Sequence, residues 1–291
     1  MKKDTKTDIL SVLEQRMASF SKGQRTIARY ILGNYDKAAF MTAARMGEAV
    51  GVSESTVVRF AVELGYRGYP GMKKALQEVV RNRLTSVERI EAAESTIGTQ
   101  DVLKAVLRAD INNLQATLEE VDQASFNAAV DLILSAKRVY VIGMRTSTTL
   151  AHFLGIYLNL LQDNVQVIQD TTAMEVYEQM LRVERDDLVI GISFPRYSNR
   201  TVNAMKFARD SGASTLGITD GKASPLHEIS DVCLYAKSEM VSFLDSLVAP
   251  LGLINALIVA LGIRNRDQTF ETFQRLESIW TEYGVYQTRE S

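Results

Sequence analysis

The chain carries two hydrophobic rhythms, and they meet near residue 123. From residue 8 to 84 apolar residues recur every three or four positions without an alternating strand pattern. That spacing predicts helices over 7–17, 22–34, 42–50, 53–64 and 70–83, a small all-α domain. A longer helix is expected over 101–120, where LKAVLRADINNLQATL keeps the same period. Beyond 123 the apolar residues gather instead in short β-branched runs. These are KRVYVIG (137–143), VQVIQD (165–170), DLVIGIS (187–193), STLGITD (214–220) and DVCLYA (231–236). Helical stretches of about ten to fifteen residues separate most of them. Continuous apolar strands between amphipathic helices must be covered on both faces, so the second part reads as a doubly wound, mostly parallel α/β domain.

Charge divides the chain earlier, near residue 85. Residues 1–85 hold 15 of the 33 basic and 8 of the 35 acidic side chains, an excess of +7; the remainder carries −9, for a net charge of −2. A basic helical head on an acidic body points to different partners, with a polyanion for the head. Between them TSVERIEAAESTIGTQ is polar and weakly patterned. We therefore expect domains at 1–84 and 101–291, with 85–100 as linker.

Within the head, TAARMGEAVGVSESTVVRFAVE (42–63) has the grammar of two helices joined by a tight turn. Thr42 is placed to cap the first helix, whose Ala43, Met46 and Val50 face inward. Gly51 ends it in a left-handed backbone, Val52 fills the corner, and Ser53 caps the second helix. Val57, Phe60, Ala61 and Leu64 then form the buried stripe of that second helix. Glu54, Ser55, Thr56 and Arg59 are left outside with Ser53, in the half of a helix-turn-helix that faces base edges in the major groove. Hydroxyls approach bases and phosphates closely, and arginine grips guanine with two donors. In GYRGYPGMKK, which follows, Tyr66, Arg67, Tyr69, Lys73 and Lys74 are candidates for the phosphate backbone. The bland reading makes Ser53 a cap and Arg59 a solvated charge. The glycine turn, the basic head and the basic-aromatic tail together favour DNA.

GVSESTVVRFAVELGYRGYPGMKKAL (51–76) resembles the signature of RpiR-type (MurR/RpiR) bacterial transcriptional regulators. The resemblance implies an N-terminal helix-turn-helix domain followed by a C-terminal sugar isomerase (SIS) domain, and it extends over essentially the whole chain. It is more specific in the N-terminal half.

In the α/β part, strand KRVYVIG runs into MRTSTTLAHFLG, a polar turn that opens a helix. Free backbone N–H groups and the positive end of a helix dipole suit a phosphate there, and Ser147, Thr148 and Thr149 add hydroxyls. GISFPRYSNRTVNAMKFA repeats the device with Ser193 and Ser198. Two such turns at the carboxyl ends of parallel strands would hold a ligand at the sheet's crevice. The competing reading is that these serines only cap helices. SIS domains typically bind phosphosugars through a Gly-x-Gly-x-Ser turn and a later Ser-x-Ser-Gly-x-Thr turn. Gly143 and Ser147 match the first, with Arg145 at the second glycine. Ser193 matches the second and Ser198 falls at its threonine, with Pro195 and Arg196 in place of serine and glycine. ARDSGASTLGITDGKASPLHEISDVCLYA (208–236) also resembles the family, and Asn255 stands where aspartate is common. The two arginines would offer forked donors to an anionic effector, a phosphosugar or sugar acid; the alternative is that they fill the site or pair with Asp170 or Glu175.

Other chemistry is thinly represented. Glu175, Glu178 and His227 are base candidates by position only, and His152, in an apolar helix stretch, reads as a packed histidine; no catalytic residue and no enzymatic activity are expected. No metal-ligand spacing appears and no cofactor is implied. Cys233 is the single cysteine, which excludes an internal disulfide. The opening MKKDTKTDIL lacks a signal-peptide core, and a cytoplasmic location is expected. SLVAPLGLINALIVALGI (246–263) is uncharged and about as long as a membrane span. Pro250, Asn255 and missing aromatic anchors make it a helix buried between domains or subunits, and the candidate subunit interface. The expected partners are an operator duplex, a sugar phosphate or sugar acid, and further copies of the chain as homodimer or homotetramer. The competing functions are a sugar-phosphate isomerase with a vestigial helical domain, against which the basic head argues, and a structural DNA binder that ignores ligands, against which the hydroxyl-rich turns argue.

Overall fold

The computed structural model describes residues 9–83, 87, 90, 101–169, 172–239 and 244–286. It divides into two compact units, one running to Leu103 and the other holding Lys104 to residue 239 and the residues from Leu244 onward. The expected linker at 85–100 lies outside the described residues apart from Val87 and Ile90.

The first unit is built from α1 (Ile9–Arg16), α2 (Lys22–Gly33), α3 (Tyr35–Ala38), α4 (Ala43–Val50), α5 (Glu54–Glu63) and α6 (Tyr69–Arg83). Each predicted helix is present within two residues of its expected ends; the short α3 was not expected. Gln24 Oε1 accepts the Ser21 N–H at 2.8 Å, closing the start of α2. Phe20 and Phe60 meet edge to face with centroids 5.2 Å apart, and both are fully buried with Leu13, Ile27, Met46 and Met72.

The α4–α5 turn follows from two glycines. Gly51 caps α4 with φ 73° and ψ 36°, a conformation that costs a residue with a side chain about 1–2 kcal/mol. Gly47 allows the chain to fold back on itself, because a Cβ there would stand 2.7 Å from the Val52 carbonyl oxygen. Thr42 Oγ1 accepts from the Arg45 N–H and Ser53 Oγ from the Thr56 N–H, so both caps form as expected.

The second unit opens within α7 (Val102–Glu120), from Lys104 on, and continues with α8 (Gln123–Ser135). There follow β1 (Val139–Gly143), α9 (Thr146–Leu161), β2 (Val165–Ile168), α10 (Ala173–Gln179), β3 (Leu188–Ile192), α11 (Asn199–Asp210), β4 (Ser214–Thr219) and β5 (Val232–Tyr235). Two helices, α12 (Val248–Arg264) and α13 (Arg266–Glu282), complete it. The strands form one parallel sheet in the order β2-β1-β3-β4-β5. Alternate strand residues feed opposite cores. Val139, Val141 and Ile190 pack on the α8, α9 and α12 side, while Tyr140, Ile142 and Val189 pack on the α10 and α11 side. At the foot of the sheet Arg138 Nε donates to the buried Asp187 carboxylate at 3.0 Å.

Helix α12 turns Leu253, Ile254, Leu257 and Leu261 into the core of its own unit, and leaves Val248, Val259 and Ile263 exposed. No single helix among the described residues is long and apolar enough to cross a membrane, and α12 and α13 meet at a 101° bend. An exposed apolar stripe lies on α7, at Leu107, Ile111, Leu114 and Leu118, with Leu114 also against Gly252 of α12. The opposite edge of α7 is held by buried amide chemistry: Asn113 donates to the Glu239 carbonyl at 2.9 Å and accepts its N–H at 3.1 Å.

Gly47→Ala is expected to destabilise the first unit by about 1–3 kcal/mol through crowding, outweighing the roughly 0.5–1 kcal/mol that alanine gains over glycine inside a helix. Urea unfolding followed by circular dichroism checks this; a variant as stable as the parent contradicts the tight turn.

Candidate functional site

Burial of Val57, Phe60 and Ala61 rotates the other side of α5 outward. Ser53, Glu54, Ser55 and Arg59 are exposed and Thr56 is half-buried. The hydroxyls form a small network, Ser53 Oγ lying 2.9 Å from Ser55 Oγ and 2.8 Å from Thr56 Oγ1. Arg59 Nε donates to the Ser55 carbonyl at 3.3 Å, which lays its guanidinium back over the N-terminal turn. Beyond α5, Arg67 and Lys74 are exposed and Tyr66 is half-buried.

Tyr69 is a correction. It is only 6% exposed, its hydroxyl donates to the Met41 carbonyl at 3.0 Å, and burial pushes its phenol up to about 12. It is a neutral core residue that ties the start of α6 to the segment before α4. Lys73 is half-buried, with its ammonium 3.4 Å from the Phe40 carbonyl; two of its three donors are left for other partners.

In the second unit the order β2-β1-β3 creates a switch point, where helices leave adjacent strands toward opposite faces. Gly143, the last residue of β1, is in register with Ile192, the last of β3. The turns carrying Arg145, Ser147 and Thr148, and Ser193, Arg196 and Ser198, therefore stand side by side. A Cβ on Gly143 would lie 2.5 Å from the Ser147 carbonyl oxygen, so the first turn closes over a residue without a side chain. Thr148 Oγ1 donates to the Gly143 carbonyl at 2.8 Å; its proton is committed within the turn, and it can offer a ligand only lone pairs. Ser147 is 5% exposed, and its side chain has no hydrogen-bond partner among the described residues. In the second turn the buried Ser193 Oγ accepts the Ser198 N–H at 3.1 Å, leaving the Ser193 proton to be donated. Arg145 and Ser198 stand at the N-caps of α9 and α11, and neither side chain makes a cap hydrogen bond.

Arg145 and Arg196 occupy the positions where SIS turns carry glycine, and both keep the glycine-like backbone, with φ of 58° and 63°. Both side chains are exposed. A residue with a Cβ held there stores about 1–3 kcal/mol. Sequence reasoning missed what braces the second turn. Tyr197 donates to Asp220 Oδ1 at 2.8 Å, and Thr219 Oγ1 donates to the Ser193 carbonyl at 2.7 Å. The signal was the ITDG stretch (218–221) closing β4.

The remaining candidates have local roles. Glu175 and Thr172 close a capping box at the start of α10. His227 Nδ1 lies 2.6 Å from the Tyr235 hydroxyl beside the edge strand β5, and Glu178 is exposed. His152 is exposed rather than packed, because α9 buries Ala151, Leu154, Gly155 and Leu158 on the other side. Asp170, one considered partner of the arginines, lies outside the described residues. Burial pushes the Cys233 thiol up to about 11, away from reactive thiolate character.

Tyr69→Phe should lower stability by about 1 kcal/mol while leaving the salt dependence of DNA affinity unchanged. Arg67→Ala and Lys74→Ala should each flatten the slope of log affinity against log salt by about 1. Anisotropy titrations of a duplex at several salt concentrations measure both. Equal slopes for Tyr69→Phe and Lys74→Ala would return the tyrosine to the DNA face.

Comparison with known proteins agrees with this anatomy. The helix-turn-helix domain of the rpiR family matches residues 7–83 and the SIS domain matches residues 132–260. The transcriptional regulator HexR of Pseudomonas aeruginosa is 27% identical over 229 residues, covering 78% of each chain. The sugar isomerase domain of an RpiR transcription factor from Sphaerobacter thermophilus superposes with a TM-score of 0.58 at 30% identity, over 62% of this chain and 99% of that one. NanR of Vibrio vulnificus, solved with ManNAc-6P, shares the fold over 94% of this chain and 98% of its own, with a TM-score of 0.59 at 22% identity. A helix-turn-helix head followed by a SIS domain, in a chain this similar to named regulators, makes it a member of the RpiR family of DNA-binding transcriptional regulators.

Proposed function

We propose that this regulator reads a pseudo-palindromic operator through α5 and adjusts that binding to a phosphorylated or acidic sugar held at the β1–β3 switch point, without converting it. The observation that carries the effector half is the register of Gly143 with Ile192. It brings together two helix N-termini, the uncommitted Ser147 hydroxyl, the Ser193 proton and two exposed arginines. Such donors suit an anion: hydroxyls and amides hold a phosphate, and planar guanidinium groups hold a carboxylate or phosphate in pairs. The complex of NanR with ManNAc-6P supports a sugar phosphate as the class. Catalysis would need a base beside the sugar carbon, whereas Glu175 is engaged as a helix cap and His227 with Tyr235.

For the operator half, exposed hydroxyls and Arg59 on α5 face base edges, while Tyr66, Arg67, Lys73 and Lys74 hold phosphates. Two heads must be about 34 Å apart to enter successive major grooves, which requires at least a dimer. The α7 stripe of Leu107, Ile111, Leu114 and Leu118 is the apolar face we assign to a second copy. An effector acts by favouring one placement of the two heads over another.

Three measurements test this reading. In calorimetry against sugar phosphates and sugar acids, Arg196→Ala and Ser147→Ala should each weaken the best anionic ligand at least tenfold, roughly the value of one charge-assisted contact. Affinities equal to wild type refute the assigned site. Arg145→Gly should stabilise the fold by about 1 kcal/mol through relief of backbone strain, yet weaken the ligand. Light scattering should find a dimer or larger at micromolar concentration and a smaller species for Leu107→Lys/Leu118→Lys; a wild-type monomer refutes the assembly.

A further inference from the structure

We propose that Val58 reads the 5-methyl group of a thymine adjacent to the guanine gripped by Arg59. The inference rests on the reading that α5 enters the major groove. Along the outward side of α5, Ser55, Val58, Arg59 and Val62 fall at i, i+3, i+4 and i+7, one continuous stripe opposite the buried Val57, Phe60 and Ala61. Val58 is 36% exposed and Val62 57% exposed.

A lone surface valine needs no explanation, but two on one face of a ten-residue helix do. β-Branching makes valine a poorer helix former than alanine, lysine or glutamate; Val62 stays more than half exposed and Val58 about one-third exposed, so both leave apolar surface outside the core of the unit. Their position therefore points to an apolar partner outside the unit. In the major groove the apolar feature on a base edge is the thymine methyl, and small aliphatic side chains are what contact it.

The two valines are not equivalent. Base contacts come from the N-terminal half of a recognition helix; Val58 belongs to that half and Val62 to the last turn. Arg59 Nε is anchored to the Ser55 carbonyl at 3.3 Å, so its guanidinium lies back toward the first turn, away from the exposed third of Val58. Neighbouring residues on the helix then meet neighbouring base pairs, a guanine for Arg59 and a thymine for Val58. Glu54, one turn before Val58 and also exposed, adds a negative charge that disfavours a phosphate at this spot and leaves it to a base.

The test starts from the duplex that the full-length wild-type protein selects out of random DNA. Thymines in each half-site are replaced singly by deoxyuridine, which lacks only the methyl group, and affinity is measured by anisotropy. Wild type should lose about fourfold at one thymine next to a guanine, the factor that corresponds to burying one methyl group. Val58→Ala, whose side chain is exposed and whose helix propensity rises, should be indifferent to that replacement, while Val62→Ala keeps the wild-type response. Deoxyuridine without effect at every position overturns the assignment, as does a response that survives Val58→Ala or vanishes only in Val62→Ala. Arg59→Ala separates this failure from that of the underlying reading. If it relaxes selection at the guanine while methyl sensitivity is absent, only the role of Val58 falls. If it leaves base selection unchanged, α5 is not the reading helix.

Discussion

Parallel pairing of β1 with β3 is the constraint from which the sensing half of the molecule follows. With Gly143 opposite Ile192, both strands stop at the same level. The order β2-β1-β3 sends α9 to one face of the sheet and α11 to the other. The turns must therefore diverge as they leave the sheet, and divergence opens a crevice whose walls are two helix N-termini. Nothing about sugar chemistry is needed to produce that shape. Chemistry enters through what stands in the turns, where Arg145 and Arg196 accompany the serines.

That replacement shows how strongly the surroundings dictate the backbone. Arg145 and Arg196 sit at φ values that favour glycine, so the local conformation is imposed by the bonds around it. In the first turn these are the Thr148 hydroxyl on the Gly143 carbonyl and the close fold over Gly143. In the second they are the Ser198 N–H on Ser193 Oγ, Tyr197 on Asp220 and Thr219 on the Ser193 carbonyl. Hydrogen bonds of this kind contribute about 0.5–1.5 kcal/mol each, enough in combination to offset about 1–3 kcal/mol of strain per arginine.

Much of the fold could be read from periodicity because the two units use such different rhythms. The five strands appeared where β-branched runs predicted them, each shorter than its expected span by one to two residues at one or both ends, because the flanking residues, such as Lys137, Arg138, Asp187 and Asp231, are polar and stand at the ends of the ladder. The turn hydroxyls were legible as a class, but not their division of labour. Which of Ser147 and Thr148 has a proton to donate depends on the Gly143 carbonyl, a contact that spacing does not reveal. Tyr69 misled because an aromatic among glycines and basic residues looks the same in sequence whether it faces phosphate or core; the acceptor that decides is the carbonyl of Met41, 28 residues away. His152 misled for the opposite reason. Its neighbours are apolar, but α9 buries one side only. Helix α12 was recognised as buried, and its burial partner proved to be its own sheet.

The head obeys the same logic with different materials. Gly47 and Gly51 let α4 and α5 approach until Val52 N–H donates to the Gly47 carbonyl at 2.9 Å, and that closeness fixes which side of α5 turns outward. Charge and readout separate along the chain: Arg67 and Lys74 lie outside α5, where they can neutralise phosphates without regard to sequence. The exposed residues of α5 and its cap include one arginine, two glutamates and two valines beside the hydroxyls of Ser53, Ser55 and Thr56, a composition too poor in cations to serve general affinity. A surface that leaves attraction to its neighbours is free to discriminate, and discrimination between base pairs rests on hydrogen bonds and methyl contacts rather than on net charge.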